Sequence, residues 1–170
     1  MRILGGQYKG INIDTSKIIS YRPTQSRVRK SIFDILTPFS YSNVLDLYSG
    51  SGILGFESAS RGAESVTFVE IDYKAIDLLN KNKNKFVDNT FHVVRKRSIA
   101  YLNDIDENYD LIFADPPYDN IDYMDLMSVC IEKLTKNGKL ILEMRNNNFT
   151  FEGASAKQYG DTKIVLYTKK

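Results

Sequence analysis

Cysteine and histidine are almost missing from these 170 residues: Cys130 and His92 stand alone, and tryptophan is absent. One cysteine cannot close an intramolecular disulfide, and one cysteine with one histidine gives no cluster spaced to hold zinc. Neither a disulfide scaffold nor a metal centre is expected. No apolar run approaches the length that crosses a bilayer, and the N-terminal MRILGGQYKG lacks the apolar stretch of a signal peptide. The expected setting is the cytoplasm, without membrane association. Low-complexity tracts, internal repeats and linkers are lacking too.

Charge of one sign is not in large excess. Twenty-three Lys and Arg against twenty-one Asp and Glu leave a formal charge of +2, which by itself selects no partner. The distribution says more: the segment from Arg22 to Lys30 (RPTQSRVRK) carries four basic side chains and no acid. Lys81–Lys85 and Arg95–Arg97 are further basic clusters, read as solvated faces.

What the chain does have is a rhythm. From about residue 43, short β-branched runs alternate with segments of helical period, the pattern of a parallel sheet covered by helices. Strands are expected at Asn43–Leu47, Val66–Glu70, Phe91–Arg95, Asp110–Ala114 and Lys139–Met144. Helices are expected over Ile53–Arg61, Tyr73–Phe86, Ile99–Asn103 and Asp122–Leu134, the last closed by an Asn137-Gly138 cap. Lys157–Tyr159 and Lys163–Thr168, joined at Gly160-Asp161, read as a closing antiparallel hairpin. Residues 1–40 fall outside this pattern as an N-terminal extension, a glycine-rich hairpin and a helix over about Gln25–Leu36; residues 41–170 form the main unit, and the whole is expected to be one compact unit.

Two loops carry chemistry. The first, after the first strand, contains Gly50-Ser51-Gly52-Ile53-Leu54-Gly55, a literal G-x-G-x-x-G, with Glu70 at the end of the second strand. A dinucleotide site is one reading, and a tight turn without a ligand is the plainer one. Asp46, however, lies at the strand tip, where a carboxylate repels a pyrophosphate and attracts an ammonium such as the α-amino group of S-adenosylmethionine. Glu70 can accept hydrogen bonds from ribose hydroxyls.

The second loop is Asp115-Pro116-Pro117-Tyr118, directly after the fourth strand. An aromatic amino nitrogen is a poor nucleophile because its lone pair is delocalised into the ring. Two acceptors for its two hydrogens, the Asp115 carboxylate and the Pro116 carbonyl, aim that lone pair. Pro116 and Pro117 stiffen the backbone that holds the acceptors, and Tyr118 offers a face for a base taken out of its stack. A proline-stiffened turn without chemistry is the plainer reading; the pairing with an acid-tipped glycine turn favours methyl transfer.

With these stretches together, the chain resembles the bacterial small-subunit ribosomal RNA methyltransferase D family, which methylates the N2 amino group of a guanine in 16S ribosomal RNA. The matching stretches are RILGGQYKG, RPTQSRVRKSIFDIL, VLDLYSGSGILGFESASRGA, FVEID, FADPPY and YGDTKIVLYTKK. The resemblance implies a Rossmann-like, class I S-adenosylmethionine-dependent α/β fold with a seven-stranded, mostly parallel sheet. It implies cofactor contacts from Asp46, Ser49, Gly50, Gly52 and Glu70, and a guanine held by residues Asp115 through Tyr118. It further implies RNA contacts from Arg22, Arg27, Arg29 and Lys30, extended by Arg2 and Lys9, with 16S ribosomal RNA or the small subunit as partner. The plainer reading of RVRK is the exposed face of a helix whose Val28, Ile32, Phe33 and Ile35 pack inward.

The chain departs from the family pattern at Gln25 and Lys30, where acids are usual, and after the third strand, where Arg97 and Ser98 stand at the adenine contact; Ser98 is assigned to it. It also looks trimmed after the fifth strand. The alternatives are methylation of adenine N6 or cytosine N4, a non-catalytic RNA-binding domain, and a dinucleotide oxidoreductase. The expected oligomeric state is a monomer.

Overall fold

The computed structural model describes residues 1–15, 26–117 and 121–170. Its core is a seven-stranded sheet in the order β3-β2-β1-β4-β5-β7-β6. The strands are β1 (Asn43–Leu47), β2 (Ser65–Glu70), β3 (Thr90–Arg95), β4 (Tyr109–Ala114), β5 (Leu134–Arg145), β6 (Ser155–Tyr159) and β7 (Thr162–Thr168). The first five run parallel, and β7 pairs antiparallel with both β5 and β6. The expected closing hairpin is therefore present, and the sheet is the one the rhythm of the sequence predicts.

Helices cover both faces because the strands are apolar on both sides. On one face, α1 (Ser26–Ile35), α2 (Ile53–Ser60) and α3 (Tyr73–Lys83) bury Val28, Ile32, Phe33, Leu54, Phe56 and Leu79 against Val44, Val66, Phe68, Leu111, Phe113 and Ile141. On the other, α4 (Ser98–Asp104) and α5 (Tyr123–Glu132) enclose Leu45, Leu47, Val69, Ile112, Leu140 and Leu142. The alternation along each strand thus sorts side chains into two separate cores. No helix among the described residues is long and apolar enough to cross a membrane.

The N-terminal hairpin shares the first core: Ile3 and Ile13 belong to the same buried cluster as α1 and the sheet. A bridge between Arg2 and Asn12 closes it, supported by the Ile3 N–H donating to the Ile11 carbonyl at 3.0 Å. Gly6 makes its attachment possible. With φ at +77°, it sits so close to α2 that a Cβ there would lie 1.7 Å from the Ser60 carbonyl oxygen.

Asn137-Gly138 does not cap a helix, contrary to expectation. Helix α5 ends at Glu132 with Lys133 as its cap, and β5 starts at once with Leu134. Tyr109 pairs with Leu134 but Leu111 already pairs with Lys139, so residues 135–138 form a bulge. Asn137 supplies the positive φ of 64°, and its N–H donates to the Lys169 carbonyl at 2.9 Å. Both a helix cap and this bulge need a residue tolerant of positive φ, which is why the dipeptide misled.

Candidate active site

Strand order reverses between β1 and β4, and in open α/β sheets that is where a ligand cleft forms beyond the strand ends. Both loops singled out above leave the sheet there. In the ladder Asp46 pairs with Phe113 and Leu47 with Ala114, so the glycine turn and Asp115 depart at the same level from adjacent strands. Adjacent strands lie about 4.8 Å apart.

The Asp46 carboxylate is buried, and its Oδ2 accepts the Gly55 N–H at 2.9 Å. Burial raises its pKa to about 8; the Gly55 bond pulls the other way, and the charge of Glu70 adds to the rise. A carboxylate in this situation gains from any cation brought beside it, and the α-ammonium of S-adenosylmethionine is such a cation. The residues present therefore fit that cofactor.

The turn itself is braced from β2. The Gly50 N–H donates to Glu70 Oε2 at 2.9 Å, while Glu70 Oε1 accepts the N–H groups of Ile71 at 2.6 Å and Asp72 at 2.8 Å. The Ser49 hydroxyl donates to the carbonyls of Asp46 at 2.5 Å and Val69 at 3.1 Å. Gly50 and Gly52 have φ of 52° and 74°, and a Cβ on Gly52 would lie 2.4 Å from Leu79. Gly55 lets α2 close onto β2, where a Cβ would meet Phe68 at 2.3 Å.

Ser98, the first residue of α4, is buried. Tyr48 follows β1 in a left-handed conformation, φ 56°, and its phenol is pushed up to about 12 by burial. Sequence reasoning gave Tyr48 no part here; the only signal was its place directly before Ser49. Asp115 is half-buried, Pro116 buried and Pro117 exposed, while Tyr118 lies outside the described residues.

The basic residues divide. Arg27 and Lys30 are exposed on α1, and Lys30 pairs with Asp34 at 2.7 Å. Arg2 is exposed and its Nε donates to Asn12 at 3.2 Å. Lys9 is exposed, but its hairpin rests on Ser60, the last residue of α2. That is the end remote from the glycine turn, about 12 Å away for an eight-residue helix. Arg22 lies outside the described residues.

Arg29 faces inward, contrary to the expected RNA contact. Its side chain is 1% exposed and so is not on the surface where RNA phosphates arrive. Its Nη2 donates to the Arg2 carbonyl at 2.8 Å, and its Nε lies 3.9 Å from Glu57 Oε2. Burial lowers the Arg29 pKa and Glu57 pulls it back up. Arg29, Ile32, Phe33 and Leu36 follow the i, i+3, i+4, i+7 spacing of one buried stripe, a pattern that the charge of Arg29 masks in the sequence. Glu57, also missed, is fully buried and accepts the Leu4 N–H at 2.7 Å and the Arg61 Nε–H at 2.9 Å. It fastens the hairpin to the helix that begins at the glycine turn.

Comparison with known proteins supports this assembly. The family model described as Conserved hypothetical protein 95 matches residues 1–168. The chain is 33% identical over 150 residues to the ribosomal RNA small subunit methyltransferase D of Buchnera aphidicola subsp. Baizongia pistaciae, covering 86% of this chain and 76% of that protein. It is 32% identical over 145 residues to the protein of the same name from Haemophilus influenzae, covering 82% and 73%. Among solved structures, a proposed methyltransferase from Escherichia coli matches with a TM-score of 0.88 at 26% identity, covering 100% of this chain and 98% of that one.

Proposed function

Since the chain belongs to the Conserved hypothetical protein 95 family, with the ribosomal RNA small subunit methyltransferase D proteins among its relatives, we propose that it methylates the exocyclic N2 of a guanine in 16S ribosomal RNA. The donor is S-adenosylmethionine, which supplies an already activated methyl group. One observation carries the reading: the Leu47–Ala114 pairing sets the acid-tipped glycine turn and the Asp115-Pro116 turn side by side at the switch point.

Asp46 holds the cofactor's ammonium, Glu70 its ribose hydroxyls, and Ser49, Gly50, Gly52 and Ser98 complete the wall. The Asp115 carboxylate and the Pro116 carbonyl accept the two hydrogens of the target amine, fixing its lone pair toward the donor. Asp115 then takes the proton that the methylated nitrogen sheds. Tyr118 stacks on the extruded base. Arg27 and Lys30, with Arg2, Lys9 and Arg22, meet phosphates. The enzyme works as a monomer in the cytoplasm, on 16S ribosomal RNA or the small subunit.

The test is transfer of labelled methyl from S-adenosylmethionine to unmethylated small subunits and to protein-free 16S ribosomal RNA, followed by nucleoside analysis. N2-methylguanosine is the expected product. N6-methyladenosine or N4-methylcytidine would replace the reading with its nearest rival, and no label in any RNA would leave a non-catalytic binding domain.

A further inference from the structure

Asp115 is not the only acid at the end of this sheet that the cleft can use. Glu143 lies on β5, the strand beside β4, and is held from the other side by its pairing with Ile164 of β7. The β4–β5 ladder ends at Ala114 and Leu142, so Asp115 and Glu143 are the next residue on each of two neighbouring strands. Phe113 and Ile141 face the first core, and Ala114 and Leu142 the second. Side-chain alternation therefore returns Asp115 and Glu143 to the side of the first core. Asp46 is on that side too, since its neighbours Leu45 and Leu47 both enter the second core. Asp46, Asp115 and Glu143 thus lie on one face of three adjacent strands, Asp115 and Glu143 level with each other and Asp46 two residues below them. Glu143 is 6% exposed, so it is enclosed rather than a solvated rim charge.

The target bases differ where such a carboxylate matters. Beside the N2 amino group, guanine presents the N1–H donor. Adenine and cytosine present a ring-nitrogen lone pair beside their amino groups. A carboxylate one strand from Asp115 attracts the first and repels the other two. We infer that Glu143 is the specificity-determining residue of the site: its carboxylate accepts the N1–H of the target guanine while Asp115 holds the adjacent N2 amino group. This rests on the reading of guanine N2 as the methyl acceptor.

The experiment uses 2-aminopurine, which keeps the amino group at position 2 but has a lone pair in place of N1–H. 16S ribosomal RNA is prepared with guanine or 2-aminopurine at the mapped target, and offered free or in reconstituted subunits, whichever form accepts methyl. The wild-type enzyme is expected to prefer guanine in kcat/KM by a hundredfold or more, on the order expected when a site loses the donor it was built for. Glu143→Gln presents an amide that can donate to the N1 lone pair, so it should bring the two substrates within about tenfold. Its affinity for S-adenosylhomocysteine should not change.

Equal use of both bases by the wild type overturns the inference without needing any variant to fold. A preference that survives intact in Glu143→Gln overturns it as well. Failure of the underlying reading looks different: the wild-type product on the guanine RNA is then not N2-methylguanosine, and the role of Glu143 falls with it.

Discussion

Gly55 donates its N–H to the Asp46 carboxylate at 2.9 Å across the glycine turn, so the first turn of α2 leans directly on the acid at the tip of β1. That bond favours the ionised form, but burial outweighs it and raises the Asp46 pKa to about 8.

A pH dependence follows. The Asp46 pKa rises from 3.8 to about 8 in the folded protein, so between those values the folded state holds a proton that the unfolded state has lost. Its contribution to stability accordingly falls as pH rises through that window. Cofactor binding needs the ionised form and should strengthen with pH toward about 8, by up to about tenfold per unit, before levelling off. Calorimetric titration with S-adenosylhomocysteine from about pH 6 to about pH 9 checks this. Asp46→Asn should bind weakly and show no such slope.

Asp115→Ala should lower the single-turnover rate by two orders of magnitude or more, roughly the share assigned to a positioned polar group at a reacting centre. Cofactor affinity should stay within about threefold, since the pair acts on the base and not on the donor. Rapid-quench methyl transfer beside equilibrium binding separates the two. Loss of binding equal to loss of rate would move Asp115 into the cofactor site.

Arg27 and Arg29 are two residues apart on α1 and should behave oppositely. Arg27 is exposed, and Arg27→Ala should leave stability within about 0.5 kcal/mol while weakening RNA binding and flattening its salt dependence by about one ion. Glu57→Ala, which strands the buried Arg29, should destabilise the protein by about 3–5 kcal/mol in denaturant unfolding. If Arg29→Ala alters the salt slope as Arg27→Ala does, the inward placement of Arg29 is refuted.

Asp46, Glu70 and Asp115 were legible in the sequence because strand ends and glycine turns announce themselves locally: a β-branched run stops, and a conformationally free or rigid residue follows. Arg29 and Glu57 were not, since their meaning depends on a partner 28 positions away and on burial that a charged residue type hides. The bulge at Asn137-Gly138 failed for another reason, because a left-handed residue ends a helix and kinks a strand equally well. Glu143 was invisible until strand order placed β5 beside β4.

The hairpin offers a packing test. Gly6→Ala places a methyl group against the Ser60 carbonyl and a side chain at a φ of +77°, so it should cost more than about 1 kcal/mol. Gly10→Ala, where a Cβ meets nothing within 4 Å although φ is +92°, should cost less. Equal losses in thermal unfolding would mean that backbone strain, not the contact with α2, sets the requirement for glycine.

One cleft between the ends of β1 and β4 is expected to receive both donor and base. A crystal structure with S-adenosylhomocysteine and an RNA fragment carrying the target guanine measures this directly. The homocysteine amino group should lie against Asp46, and the guanine N2 should sit between the cofactor sulfur and the Asp115-Pro116 turn. A cofactor seated elsewhere, or a guanine whose N2 faces away from Asp115, would contradict it.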